Sequence, residues 1–252
     1  MRPPLLEVRG VTKSFGGLTA LRGVDLSIGP GELRCIIGPN GCGKTTLFNV
    51  ITGEFPPTSG QVLYRGEEIT GWPPHEISRR GIARKFQVPS VYPTLSVAEN
   101  LEIPIVASRG GGRPWRALRA GPTTALPIRT LLGQVDLVGQ ALRTASALAH
   151  GRRQWLEIAM LLGRDAQLLL LDEPTAGMSV AETAATAALV RQIQRERGVA
   201  VVVIEHDMSF VRQLECRVLV MIRGAVHFEG SYEDAQADPA VREAYLGHPE
   251  QC

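Results

Sequence analysis

The chain has 252 residues, 44% of them hydrophobic and 21% charged, with a formal net charge of +2. That is enough chain to bury a core without disulfide or metal staples, and too little net charge to give a nucleic-acid-binding surface its electrostatic grip. No apolar run approaches the roughly 18 residues of a membrane-spanning helix, and Met1-Arg2-Pro3-Pro4 leads straight into a strand-like run without a secretory leader, so any role at a membrane is expected to come through a partner.

Leu5 to Val8, Val24 to Ile28 and Leu33 to Ile37 are short apolar or alternating runs, punctuated by Gly16-Gly17 and Gly29-Pro30-Gly31, and are expected to be strands. A helix is expected from Lys44 to about Thr52, a turn over Pro56 to Gly60, and strands over Gln61 to Tyr64 and Ile82 to Phe86. Ser96 to Pro104 and Ile128 to Val138 read as helices. Between them, Ser108 to Pro114 with Arg116 and Arg119 is rich in glycine and arginine and free of acid, the pattern of a mobile surface loop. Arg152 to Leu162 spaces Trp155, Leu156, Ala159 and Met160 to bury one helical face. Gln167 to Leu171 and Val199 to Ile204 read as fully buried strands, with a long helix from about Val180 to Arg197 between them. Arg217 to Ile222 and Ala225 to Glu229 predict a hairpin around Arg223-Gly224, followed by a Ser231 cap and a short helix over Pro239 to Leu246. Strands alternating with helices predict an α/β fold with a parallel sheet.

The strongest local signal is Gly38-Pro39-Asn40-Gly41-Cys42-Gly43-Lys44-Thr45, which satisfies G-x-x-x-x-G-K-[ST] between an apolar strand and a helix start. Glycines let successive backbone N–H groups curl around phosphate oxygens, and the following helix presents its positive end to the anion. In that arrangement Lys44 reaches the β- and γ-phosphates, Thr45 ligates Mg²⁺ and Thr46 bonds the α-phosphate. A second element, Leu168-Leu169-Leu170-Leu171-Asp172-Glu173, ends an apolar strand in two carboxylates. Asp172 is expected to hold Mg²⁺ through water, and Glu173 to orient and deprotonate the attacking water.

The cysteines, Cys35, Cys42, Cys216 and Cys252, form no C-x-x-C pair and no zinc spacing, as in a reducing compartment. Cys42 lies in the phosphate loop near a helix N-terminus. That position favours a thiolate and predicts that alkylation blocks nucleotide binding.

With these motifs placed, nearly the whole chain resembles the ATP-binding-cassette ATPases. The resemblance implies a P-loop NTPase (RecA-like) core over about 5–87 and 164–230. It also implies an N-terminal antiparallel β subdomain, an inserted α-helical subdomain over about 88–163, and short C-terminal helices over 231–248. It implies that Phe15 stacks on adenine, that Gln87 senses Mg²⁺ and the γ-phosphate, that His206 contacts the γ-phosphate, and that Ala176-Gly177-Met178-Ser179 is the D-loop. The family signature L-S-G-G-Q corresponds here to Leu148-Ala149-His150-Gly151-Arg152. Leu148 and Gly151 match, while Ala149 replaces the serine that bonds the γ-phosphate, His150 replaces a glycine and Arg152 a glutamine. The loss of one hydrogen bond to a charged acceptor, about 1.5–3 kcal/mol, predicts slower turnover. The unaltered helix N-terminus and Gly151 N–H, with added charge from Arg152 or His150, are the expected compensation.

The resemblance further implies a head-to-tail dimer with an identical or related cassette and a permease docking near Gln87. It implies indirect service to a periplasmic solute-binding protein, and work at the cytoplasmic face of the membrane. Glu32 to Ile37, Gly81 to Gln87, Gln154 to Ile158 and Ala244 to Gly247 look like the urea importer ATPases, within the branched-chain amino-acid importer group to which Ala176-Gly177-Met178 also points. Urea is therefore the expected solute and a branched-chain amino acid or short-chain amide the alternative. A DNA-repair cassette would need a coiled coil or basic groove, and a translation-associated one usually carries two phosphate loops. Neither pattern is present. A weakly active regulatory cassette remains a rival because of Ala149 and Arg152.

Overall fold

The structure, a computed structural model, describes residues 3–85, 91–109 and 125–246. Gln87 and residues 110–119 of the glycine- and arginine-rich stretch lie outside the described residues.

The N-terminal strands β1 (Leu6–Phe15) and β2 (Leu18–Ile28) are longer than their apolar runs suggested, and with β4 (Ser59–Tyr64) and β5 (Glu67–Glu68) they form an antiparallel sheet ordered β2-β1-β4-β5. The extra length is polar. The Thr12 and Ser59 hydroxyls share a hydrogen bond of 2.8 Å across β1 and β4, and those of Ser14 and Thr19 one of 3.2 Å across β1 and β2. Cross-strand polar pairs of this kind stabilise a ladder without leaving a hydrophobic pattern to read.

The second sheet is ordered β10-β9-β3-β8-β7-β6. Its strands are β3 (Leu33–Ile37), β6 (Ile82–Lys85), β7 (Leu168–Asp172), β8 (Ala200–Ile204), β9 (Arg217–Ile222) and β10 (Ala225–Gly230), with β10 antiparallel to β9 and the others parallel. Alternate residues feed two cores. Ile36, Leu168, Leu170, Val202 and Ile204 pack with helix α1 (Lys44–Ile51) and the antiparallel sheet. Cys35, Ile37, Leu169, Leu171, Val201 and Val203 pack under the helices of the opposite face. Burial on both faces is why these strands read as unbroken apolar runs.

The remaining helices are α2 (Pro74–Arg79), α3 (Val97–Arg109), α4 (Ala125–Gln134), α5 (His150–Leu162), α6 (Val180–Arg197), α7 (Met208–Leu214), α8 (Tyr232–Ala237) and α9 (Pro239–Leu246). Three of them, α2, α7 and α8, are too short to show a helical period in sequence. Helix α3 runs through Pro104, where the sequence suggested a stop. Leu101 and Ile105 are buried on either side of the proline, and Gly163, closing α5, admits the Pro104 and Ile105 side chains to about 3.4 Å of where a Cβ would stand. Helix α4 starts and ends earlier than expected, and Val138–Gln140 is a 3-10 turn. In α5, Trp155 and Met160 are only half-buried. The fully buried face carries Gln154, Leu156, Glu157, Ile158 and Ala159. No helix among the described residues is long and apolar enough to cross a membrane.

Candidate functional site

Three loops leave the same edge of the parallel sheet beside the end of β6, because β3, β8, β7 and β6 are neighbours running one way with their C-terminal ends in register (Ile36 opposite Ile204, Asp172 opposite Ile204, Lys85 opposite Leu171). Neighbouring strands lie about 4.8 Å apart, so Gly38–Lys44, Glu205-His206, Asp172-Glu173 and Arg84-Lys85 are brought together along one sheet edge. Crevices at the carboxyl ends of such strands are where open α/β sheets bind ligands.

The glycine loop is built for close backbone approach. A Cβ on Gly38 would stand 2.2 Å from the Met221 carbonyl oxygen, and one on Gly43, whose φ is 104°, would stand 2.6 Å from that of Ala20. The loop is tied from behind. Gly224 N–H donates to the Cys42 carbonyl at 3.0 Å, and Arg22 N–H donates to the Gly224 carbonyl at 2.8 Å. Lys44 is buried, and its ammonium donates to the carbonyls of Gly38 (2.6 Å) and Pro39 (3.0 Å). This folds a cation into the turn at the mouth of α1. Thr45 and Thr46 are half-exposed on the first turn of that helix, and Pro39, Asn40 and Gly41 form the outer rim.

Cys42 departs from the sequence expectation. Its thiol is buried, and burial pushes its pKa up. Lys44, 3.8 Å away, opposes that only in part. Desolvation of the charged form outweighs the helix terminus here, so the thiolate is disfavoured.

Asp172 is buried, with Oδ2 accepting from the Arg84 guanidinium at 3.0 Å and Oδ1 lacking a hydrogen-bond partner among the described residues. Arg84 also donates to Oδ1 of Asn49 in α1, so one cation joins the carboxylate to the helix behind the glycine loop. Burial lowers the pKa of Arg84, and the charge of Asp172 partly restores it. The next residue, Glu173, has the left-handed φ of 47°, and its N–H donates to the Ile204 carbonyl at 2.9 Å. Its Oε1 lies 3.7 Å from Nδ1 of His206, an exposed ring at the end of β8.

Between these loops sits Glu205, buried and with both oxygens engaged. Oε1 accepts from the Thr175 N–H (3.1 Å) and hydroxyl, and Oε2 accepts from the N–H groups of His206 (3.0 Å) and Asp207 (3.4 Å). Sequence reasoning passed over Glu205, Arg84, Asn49 and Thr175. The available signal was a charge inside or at the end of an otherwise apolar strand, as in Ile82-Ala83-Arg84-Lys85 and Val203-Ile204-Glu205.

Phe15 stands at the end of β1 with 42% of its surface exposed. Phe55 meets it edge-on at 5.3 Å between centroids, and the Lys13 ammonium lies 5.0 Å from its ring and bonds the Pro56 carbonyl.

The Leu148–Arg152 segment opens α5 with Ala149 as N-cap and no side-chain capping bond. Leu148 and Gly151 are buried, and a Cβ on Gly151 would stand 2.7 Å from Oε1 of Glu182. At this helix end Arg152 and His150 each have a partner within the chain. Arg152 donates to the Asp136 carboxylate at 2.8 Å and covers the Trp155 ring, while Nε2 of His150 donates to the Ala176 carbonyl at 2.9 Å. These in-chain partners compete with any anion beyond the helix end.

Residues 21–176 match the family model described as ABC transporter, and residues 228–251 match that described as branched-chain amino acid ATP-binding cassette transporter. The chain is 38% identical to the high-affinity branched-chain amino acid transport ATP-binding protein BraF of Pseudomonas aeruginosa, over 98% of this chain and 99% of that protein. It is 36% identical, over the same shares, to its counterpart LivG of Escherichia coli K12. Among solved structures, the ADP conformation of an ATP-binding cassette of an ABC transporter is similar at a TM-score of 0.85 and 28% identity, covering 98% of this chain and 100% of that one. A dimeric bacterial ABC transporter cassette is similar at 0.77 and 27%, covering 90% and 98%.

Proposed function

This chain belongs to the ABC transporter family as an importer ATPase subunit, and from that premise we propose that it hydrolyses ATP to drive uptake of branched-chain amino acids. The observation that carries the chemistry is the convergence of the Lys44 loop and the Asp172-Glu173 pair on one sheet edge. Backbone N–H groups of the Gly38–Gly43 loop and the start of α1 receive the phosphates, and Lys44 leaves its carbonyl partners for the β- and γ-phosphates. Phe15 offers its exposed ring to the adenine. Glu173 orients the attacking water and takes its proton, and His206 fixes the γ-phosphate. Gln87 senses the same phosphate from the segment after β6.

The residues fit a magnesium ion. No cluster of three or more His, Cys, Asp or Glu able to hold a metal occurs among the described residues. Mg²⁺ typically keeps several waters and takes one or two protein ligands beside substrate phosphates, which suits Thr45 and the unpartnered Oδ1 of Asp172. When bound, the ion neutralises charge on the transferred phosphate.

Two cassettes, identical or related, face head to tail, so that the Leu148–Gly151 end of α5 covers ATP on the partner. The helical part around 88–163 moves as they close, and a permease docks beside it near Gln87. A periplasmic binding protein delivers solute to that permease, which holds this chain at the cytoplasmic face of the membrane. Nucleic acid is no part of this cycle. The solute reading rests on the branched-chain names of the matched relatives. Urea is the second reading, favoured by the Arg84-Lys85 and Gln154-Trp155 segments.

Lys44→Ala tests the nucleotide site by titration calorimetry. Loss of Mg-ATP binding in a variant that still folds is expected, and retained affinity overturns the reading. Uptake of labelled leucine and of labelled urea in a strain lacking the gene separates the two solutes.

A further inference from the structure

The γ-phosphate loop and the head of α5 serve different ATP molecules in the head-to-tail arrangement: the first the chain's own, the second its partner's. They are joined inside this chain by a continuous run of hydrogen bonds. His206 and Asp207 donate their N–H groups to one oxygen of Glu205, and Thr175 donates its N–H at 3.1 Å and its hydroxyl to the other. Thr175 is followed directly by Ala176, whose carbonyl accepts from Nε2 of His150 at 2.9 Å, on the first turn of α5. We infer that Glu205 and His150 are positioning residues that transmit occupancy of a chain's own γ-phosphate site to the helix end that caps the other ATP.

Three features support this. A buried carboxylate is retained only when its oxygens are satisfied. Here all four donors come from the two loops that must move together: the turn after Glu173 and the turn holding His206. A shift in either turn therefore breaks bonds to one oxygen unless the other follows. Gly177, at a left-handed φ of 75°, turns the chain directly after the Ala176 carbonyl, and a Cβ there would stand in ordinary contact, 3.4 Å, with Nε2 of His150. The acceptor is a carbonyl, so Nε2 must carry the proton, and a glutamine amide can reproduce that donor.

The inference rests on the nucleotide-site reading above, and its test separates the two. The full chain carrying Glu173→Gln, which slows turnover, is held as monomer at low concentration with Mg-ATP, and amide hydrogen exchange is followed in peptides covering 147–157. ATP is expected to slow exchange there by at least about threefold. His150→Gly and Glu205→Gln in that background are each expected to abolish the slowing while ATP affinity stays within about threefold, and the two together to do no more than either alone. His150→Gln is expected to restore it. His150 is exposed, so its variants keep the test open if Glu205→Gln fails to fold. An ATP response at 147–157 that survives His150→Gly, or that is absent from the parent with ATP bound, overturns the relay. A parent that binds no ATP overturns the nucleotide-site reading instead.

Discussion

The guanidinium of Arg84 donates to one oxygen of the buried Asp172 at 3.0 Å and leaves the other without a hydrogen-bond partner among the described residues. The strand that leads to Gln87 thereby orients the carboxylate assigned to magnesium.

Arg84→Ala removes the cation and leaves Asp172 buried and unpaired. Breaking a buried pair in this way costs about 3–5 kcal/mol. Urea unfolding should show a loss of that order, and half-saturating magnesium for ATPase should change several-fold. Arg84→Lys should recover part of the stability and less of the geometry, because an ammonium cannot bridge Asn49 and Asp172 as a planar fork does. Unchanged magnesium dependence in a folded Arg84→Ala protein would remove the orienting role.

Ala149→Ser places a hydroxyl at an N-cap that has none. The cap alone should add about 1 kcal/mol to stability. The same hydroxyl restores a bond to charged phosphate worth about 1.5–3 kcal/mol. Arg152 and His150 are committed within the chain, so turnover in the assembled dimer should rise about tenfold or more. A higher melting temperature with flat turnover would mean that some other group already holds the phosphate.

Phe15→Ala should raise KM for ATP about tenfold and leave kcat nearly unchanged, since a base stacked on an aromatic ring is worth about 1–3 kcal/mol and stacks equally in ground and transition states. Phe15→Tyr should retain wild-type KM. Phe55→Ala, which removes the edge contact that steadies the Phe15 ring and a ring face near the Lys13 ammonium, should give a smaller rise. Equal effects of the two alanine variants would assign Phe55 its own contact with the base.

The thiols predict alkaline sensitivity. Burial pushes Cys216 from its ordinary 9.0 up to about 12, with the nearby Arg34 charge opposing, and holds Cys35 well above its ordinary value. A raised folded value means that the folded chain keeps protons the unfolded chain releases. Stability is therefore complete below about pH 9 and falls as pH rises towards 12, by up to about 1.4 kcal/mol per pH unit for each thiol. Denaturant midpoints at pH 8 and pH 10.5 measure the fall, and Cys216→Ala should reduce it. At pH 8 iodoacetamide should label Cys42 far more slowly than a free thiol, which mass spectrometry of the 38–45 peptide checks.

What the sequence determined by itself was the chemistry that lies in consecutive residues. The glycine loop from Gly38 to Thr45, the apolar strand ending in Asp172-Glu173 and the helix over Val180–Arg197 were all legible, because each is specified by neighbours a few positions away. Polar strands such as the second half of β1, and helices of six or seven residues, were not legible, because cross-strand hydroxyl pairs and short segments leave no hydrophobic period. Only the tertiary structure decided which charges meet. Arg84 lies 88 positions from Asp172, Glu205 lies 30 from Thr175, and His150 lies 26 from Ala176. Those pairs exist because parallel strands set distant segments side by side at one sheet edge. The same packing buried the Cys42 thiol, reversing the reactivity that its place near a helix end suggested. Desolvation depends on everything that surrounds a group, and a linear sequence does not say what that will be.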